Sequence, residues 1–102
     1  MNIQMDSSIS VNGSCLQGYL EAKYERLVEL FGEPNSESDG YKTDVEWAGT
    51  INNNTFTIYN WKNGKNYRGE HGLDVKNIIS WNVGGYNQQV VMDLNAIIKK
   101  QI

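Results

Sequence analysis

The sequence predicts an α+β fold: an antiparallel sheet of about four strands with two helices packed on one face, in the order β-α-β-β-β-α. Three observations predict it. Ala22–Phe31 and Gln89–Lys100 repeat their apolar residues at the 3.6-residue period of an amphipathic helix. Between them, Lys42–Ile51 alternates apolar and polar residues at period two. Asn52-Asn53-Asn54 then tolerates the positive φ of a tight turn, which folds Thr55–Lys62 back as the second arm of a hairpin.

Taken in order, Ile9 and Val11 alternate with Ser10 and Asn12, a strand cue that Gly13 breaks. Ser14–Leu20 reads as a short strand, with Leu16 and Gly18 alternating against Gln17 and Tyr19. Tyr24, Leu27, Val28 and Phe31 fall at i, i+3, i+4 and i+7, so they form the buried stripe of a helix. Glu21, Glu25 and Glu29 lie on its solvent side, and Gly32 with Pro34 stops it. Asn35–Gly40 is a polar loop. In the next strand Val45, Trp47 and Ile51 oppose Asp44, Glu46 and Thr50. Its partner is apolar on both faces, Phe56 and Ile58 against Tyr59 and Trp61. Asn63-Gly64 turns the chain, Ile78–Val83 forms a further strand and Gly84-Gly85 ends it. Val90, Leu94, Ile97 and Ile98 give the last helix its stripe.

A chain of 102 residues supports a single domain, residues 1–102, with one modest core. No apolar run approaches the ~20 residues of a membrane span, and the first residues lack the basic start and apolar core of a signal peptide. Cys15 is the only cysteine, which excludes an internal disulfide and suits a reducing cytosol. With one His and one Cys, no Cys/His zinc site can be assembled within one chain, and no metal or cofactor is expected. Cys15 is expected to be a small packed residue, and His71 a surface loop residue.

Net charge is −3, but unevenly placed. Eight acidic residues lie between Glu21 and Glu46, whereas Lys62, Lys65 and Arg68 form a short basic run. Long nucleic acid requires many phosphate contacts from a basic face, so it is not the expected partner. A small phosphate ligand needs only two or three cations.

The stretch Asp39–Arg68 supplies them. Asp39-Gly40-Tyr41-Lys42, Glu46-Trp47 and Thr57-Ile58-Tyr59-Asn60-Trp61-Lys62 space flat rings between hydrogen-bonding and cationic groups. A core strand has little use for Asn and Lys beside two rings, whereas a surface that stacks a planar anion needs them. Since one face of the apolar hairpin strand must pack the helices, the other is exposed, covered by a partner subunit, or a ligand platform. The nominated stacking rings are Tyr59, Trp61 and Trp81, with Tyr41 and Tyr67 beside them. Lys42, Lys62 and Arg68 are the phosphate contacts, Asn60 and Asn82 the readers of base edges, and Glu46 an acceptor for a guanine. No catalytic residue is nominated: Asp44 and Glu46 share a strand, but there is no phosphate-binding Gly-rich loop and no Ser-His-Asp order.

The combination of Ser14-Cys15-Leu16-Gln17-Gly18-Tyr19, Leu27-Val28-Glu29-Leu30-Phe31-Gly32-Glu33-Pro34, Asp39 to Trp47, Thr57 to Lys62 and Trp81-Asn82-Val83-Gly84-Gly85 resembles a widespread family of small phage proteins. The likeness spans roughly residues 14 to 85. It departs from the family at Cys15, where a small Ser or Thr is usual, and at Asn82, where a His is usual. The resemblance implies an anti-CBASS sponge, a viral immune-evasion protein that sequesters a cyclic di- or trinucleotide signal in an oligomer pocket without cleaving it. It further implies the host cytoplasm; a homodimer is expected from the hairpin strand that is apolar on both faces, and a non-enzyme from the lack of catalytic motifs. Leu-Phe-Gly-Glu-Pro before a Trp-bearing strand is also similar to small lipoprotein and lactamase-inhibitor folds, whose signal peptide and lipid-bearing Cys this chain lacks. Two other functions fit the residues: a protein-binding, anti-CRISPR-like inhibitor using the acidic helix face, and a small phosphodiesterase.

Overall fold

The computed structural model describes residues 2–37 and 40–100; Asp39, the start of the expected ligand stretch, lies outside them. The fold is α+β. Five strands, β1 (Ile3–Met5), β2 (Cys15–Glu21), β3 (Glu46–Ile51), β4 (Asn54–Tyr59) and β5 (Ser80–Gly85), form one sheet in the order β1-β3-β4-β5-β2. Every neighbouring pair is antiparallel. Three α-helices accompany it: α1 (Tyr24–Phe31), α2 (Lys65–Arg68) and α3 (Gln89–Lys99). None of the helices is long and apolar enough to cross a membrane, among the described residues.

The core lies on one side of the sheet. Leu20, Trp47, Phe56, Ile58, Trp81 and Val83 are fully buried there, and the register keeps them on one face, since Trp47 pairs with Ile58, Ile58 with Val83 and Leu20 with Trp81. Helix α1 reaches this face through Leu27 and Phe31, the Phe31 and Phe56 rings lying 5.9 Å apart. Helix α3 reaches it through Val90 and Leu94.

Trp47 and Trp81 meet edge to face at 5.5 Å, and each indole N–H finds a carbonyl: Trp81 donates to Ala22 at 2.9 Å, Trp47 to Gly32 at 2.8 Å. The pair therefore clamps both ends of α1. A buried indole needs such an acceptor, so both tryptophans are core anchors. Trp81 is accordingly not a stacking surface for a ligand.

Differences from the sequence expectation have local causes. The edge strand β1 is three residues long, too short to show a period; Ile9 and Val11 lie instead in the loop after it. Gly49 admits β1, because a Cβ there would lie 2.4 Å from the Gln4 carbonyl oxygen. Helix α2 is a single turn, equally invisible to periodicity. The hairpin turn carries positive φ at Asn52 (51°) and Asn53 (69°), as its asparagines predict. Gly84 and Gly85 belong to β5 rather than ending it: a Cβ on Gly84 would lie 2.6 Å from Thr57 Oγ1.

Truncating the α1 stripe tests this core. Leu27→Ala or Phe31→Ala is expected to lower the unfolding free energy by ~2–5 kcal/mol, the cost of a buried large side chain plus its cavity. Urea denaturation followed by tryptophan fluorescence measures it; an unchanged midpoint would show that α1 does not seal this face.

Candidate functional site

The site forms on the opposite face of the sheet. Antiparallel register sets Glu46 (β3), Tyr59 (β4), Asn82 (β5) and Tyr19 (β2) in one row across four strands. The next row is Ala48, Thr57, Gly84 and Leu16, whose small central members leave room beside the tall ones. The result is two adjoining clefts that share Tyr59 and Trp61. One, of about 450 Å³, has Thr57 and Gly84 as its floor and Val11, Ser14, Glu37 and Thr43 in its walls, with Glu46 beside Tyr59. The other, of about 410 Å³, is lined by Leu16, Tyr19, Tyr59, Trp61 and Asn82.

Trp61 stands just past the end of β4, 42% exposed and edge-on to Tyr59 at 6.1 Å. Two ammonium groups approach its ring, Lys42 at 5.3 Å and Lys62 at 5.8 Å from the centroid. Lys62 also approaches Tyr67 (5.6 Å) and Lys42 approaches Tyr41 (6.0 Å), while the Tyr41 and Tyr67 rings lie 5.2 Å apart. Each such contact at an exposed site contributes about 0.5–1 kcal/mol, so rings and cations hold one another in place. The Arg68 guanidinium joins the group by donating from Nε to the Lys62 carbonyl at 2.8 Å. Lys65 points elsewhere, into an ion pair with Asp74 at 2.9 Å.

What brings two distant loops together is Asn60. Its amide is fully buried. Oδ1 accepts from the backbone N–H of Asp44 (2.7 Å) and of Val45 (3.2 Å), and Nδ2 donates to Asp44 Oδ1 (2.8 Å) and Asn63 Oδ1 (3.2 Å). Asp44 Oδ2 in turn accepts from the Asn66 N–H at 3.2 Å, and the Asn66 amide donates to the Thr43 carbonyl at 3.0 Å. Gly64 must be glycine here, since a Cβ would lie 2.0 Å from Asp44 Oδ1. Just beyond, Lys62 turns at φ 62° and donates its N–H to the Lys42 carbonyl at 2.8 Å. Asn60 is thus a tether between loops and not a reader of base edges. The bend at 44–45 also explains why β3 begins at Glu46 and not at Lys42.

The remaining nominated residues, Tyr41, Lys42, Glu46, Tyr59, Trp61, Lys62, Tyr67, Arg68 and Asn82, gather on this side; Trp81 and Asn60 alone are buried away from it. Sequence reading missed Tyr19 and Leu16. A β-bulge between Leu16 and Gly18 puts both on the open face, whereas strict alternation separates them. Cys15 is an exposed thiol in the wall of the larger cleft, not a packed one. Among the described residues, no three His, Cys, Asp or Glu side chains converge as a metal ion would require.

Burial holds the Tyr59 hydroxyl above the usual phenol pKa, and the Glu46 carboxylate adds to the rise against a hydrogen bond from Asn82. Burial, then Glu33, raises Tyr24 in the same way. Comparison with protein-family models, with curated proteins and with solved structures finds no match.

Two outcomes follow from this geometry. Asn60→Ala leaves the part-buried N–H groups of Asp44 and Val45 without their side-chain acceptor, at about 1–3 kcal/mol per unsatisfied group, whereas Trp61→Ala is expected to cost less, because it removes only the contacts of a half-exposed ring, two ring–cation contacts at about 0.5–1 kcal/mol each and the edge-on pair with Tyr59. Paired urea titrations decide; equal losses would make Trp61 a core residue.

The second concerns alkaline pH. A folded-state pKa above the unfolded value of about 10 favours the native state below that pH, and the contribution disappears as pH rises through the folded value. Stability is therefore expected to fall above pH ~10, and Tyr59→Phe to remove one late-titrating phenol from the absorbance titration. Loss of a phenol that titrates in the ordinary range, with the late-titrating ones unchanged, contradicts the burial of Tyr59.

Proposed function

We propose that this protein binds a cyclic di- or trinucleotide on its open sheet face and withholds it without cleavage, as a phage sponge against a host immune signal in the host cytoplasm. The observation that carries the reading is the Trp61 ring with the Lys42 and Lys62 ammonium groups at 5.3 and 5.8 Å, edge-on to Tyr59. A nucleotide needs that combination. Its base stacks on an aromatic surface for ~1–3 kcal/mol, sequence-tolerantly, and its phosphate takes charge-assisted contacts from the cations beside the ring.

The cleft groups favour binding over turnover. Its larger lobe is lined by carboxylates, hydroxyls, phenol and indole rings and one thiol. The single imidazole, His71, is in the 3₁₀ turn Gly69–His71 and not among the lining residues. A homodimer suits the same face: Leu16 (46% exposed), Tyr19 (61%) and Trp61 (42%) present apolar surface that a second copy would cover. A two-fold ligand is matched by a two-fold pair of chains, each supplying the same rings once.

The reading is tested by incubating the protein with a cyclic nucleotide panel, removing unbound ligand, and assaying what heat denaturation releases. Intact nucleotide in the supernatant, one per dimer by sedimentation of the same sample, is the expected result. Altered nucleotide makes the protein a phosphodiesterase. No depletion favours the protein-binding inhibitor, whose surface is the exposed Glu25, Glu29 and Glu33 of α1 and its C-terminal flank.

A further inference from the structure

The floor of the larger cleft holds a polar group that the fold does not use. Thr57 sits on β4, in the middle of the sheet, and is only 6% exposed. Its hydroxyl makes no hydrogen bond with any of the described residues. Among those residues, no side-chain nitrogen or oxygen sealed from solvent lacks a partner, so this hydroxyl keeps its access through the cleft. Its neighbour on β5 sets its direction. A Cβ on Gly84 would lie 2.6 Å from Thr57 Oγ1, so the oxygen leans over the one position in its row without a side chain.

A buried hydroxyl without a partner is costly, and departures of this kind concentrate at functional sites. Its place shows which part of a ligand would complete it. Thr57, Tyr59 and Trp61 follow one another at two-residue steps, and all three line the cleft. Thr57 lies about 7 Å along the strand from Tyr59. Lys62 is at the other end of the series, its ammonium 5.8 Å from the Trp61 ring, with Arg68 tied to the Lys62 carbonyl. Phosphate is drawn to that end. In the wall near Thr57 the Glu37 carboxylate repels it. Base and phosphate leave the sugar of a nucleotide in different directions, so a base stacked on the rings turns its far edge towards Thr57.

We propose that the Thr57 hydroxyl is the deep anchor of the site and bonds the base edge farthest from the phosphate; this rests on the reading of the cleft as a cyclic nucleotide site. A hydroxyl donates or accepts as it rotates, so it serves an amino group, a carbonyl or a ring nitrogen. Thr57 therefore adds affinity without choosing among bases.

Thr57→Val and Thr57→Ser separate this role from a purely structural one. Valine keeps the branched shape that suits a strand and removes the hydroxyl, whereas serine keeps the hydroxyl. Without ligand, Thr57→Val is expected to unfold in urea at the wild-type midpoint or above it, since no hydrogen bond is lost. In isothermal titration it is expected to bind cyclic di-AMP and cyclic di-GMP alike roughly three- to tenfold more weakly, the range for one neutral hydrogen bond. Thr57→Ser is expected to stay near wild type. Unchanged affinity in Thr57→Val, or a lower urea midpoint, makes the hydroxyl a structural group and overturns the proposal while leaving the cleft a cyclic nucleotide site. A loss confined to one of the two bases overturns the base tolerance. A loss seen with cyclic di-AMP and absent with its 2′-deoxy counterpart moves the contact to the ribose and overturns the base-edge assignment. Binding of neither nucleotide by the wild-type protein overturns the broader reading as well. Should Thr57→Val not fold, Thr57→Ala is compared with Thr57→Ser by the same titrations, and equal affinities overturn the anchor.

Discussion

The candidate site depends on one buried side chain. Asn60 leaves β4 pointing into the protein while its neighbours Tyr59 and Trp61 point out, and its amide replaces the ladder that β3 and β4 no longer share beyond Glu46 and Tyr59. An amide suits the task because it both accepts and donates, so it can satisfy two backbone N–H groups and bind two side-chain oxygens at once. Among the described residues no buried side-chain nitrogen or oxygen lacks a partner. A fully satisfied buried network specifies one arrangement, and a partly satisfied one is costly. The network therefore fixes where loops 41–45 and 60–66 sit, and with them Tyr41, Lys42, Trp61, Lys62 and Tyr67.

The same strand serves two masters through its period of two. Phe56 and Ile58 fill the core; Thr57 and Tyr59 build the open face. Neighbouring strands repeat the division, Val83 inward and Asn82 outward, Trp47 inward and Glu46 outward. A one-residue slip would exchange core and site completely. The register is guarded from both sides: Gly84 and Gly85 fit only against the Thr57 hydroxyl and the Thr55 carbonyl, and the Trp47–Trp81 pair ties the strands to α1 through Gly32 and Ala22. Stability on the inner face and composition on the outer face are consequently separable.

Much of this was legible in the residues. The stripe Tyr24, Leu27, Val28, Phe31 marks a helix, the asparagine turn marks a hairpin, and two-sided apolarity in Thr55–Lys62 marks a strand with a second, non-core face. Side choice was less legible. Three tryptophans look alike in sequence, yet Trp47 and Trp81 have carbonyl acceptors waiting inside while Trp61 follows a strand end where the backbone leaves the sheet. Nothing local distinguishes them; the distinction is made by partners 15 and 59 residues away. Asn60 misleads for the same reason, since its partners Asp44 and Val45 are remote in the chain. Tyr19 and Leu16 are hidden by a bulge, and β1 and α2 are too short for any period to register.

Charge placement narrows what the open face can hold. The chain carries net charge −3, so no uniform positive field exists to gather a long polyanion. Its cations act locally instead. Lys42 and Lys62 are held against rings, Arg68 is tied to the Lys62 carbonyl, and Lys65 is spent on Asp74. Two or three fixed charges beside flat rings can neutralise one or two phosphates, but the carboxylates of Glu37 and Glu46 in the adjoining wall would repel a backbone that continued across them. A polyanion bound on this face would have to end, or close on itself, within the span of the ring pair. A compact cyclic nucleotide meets that condition: it exposes two bases to stacking and confines its phosphates to a small ring.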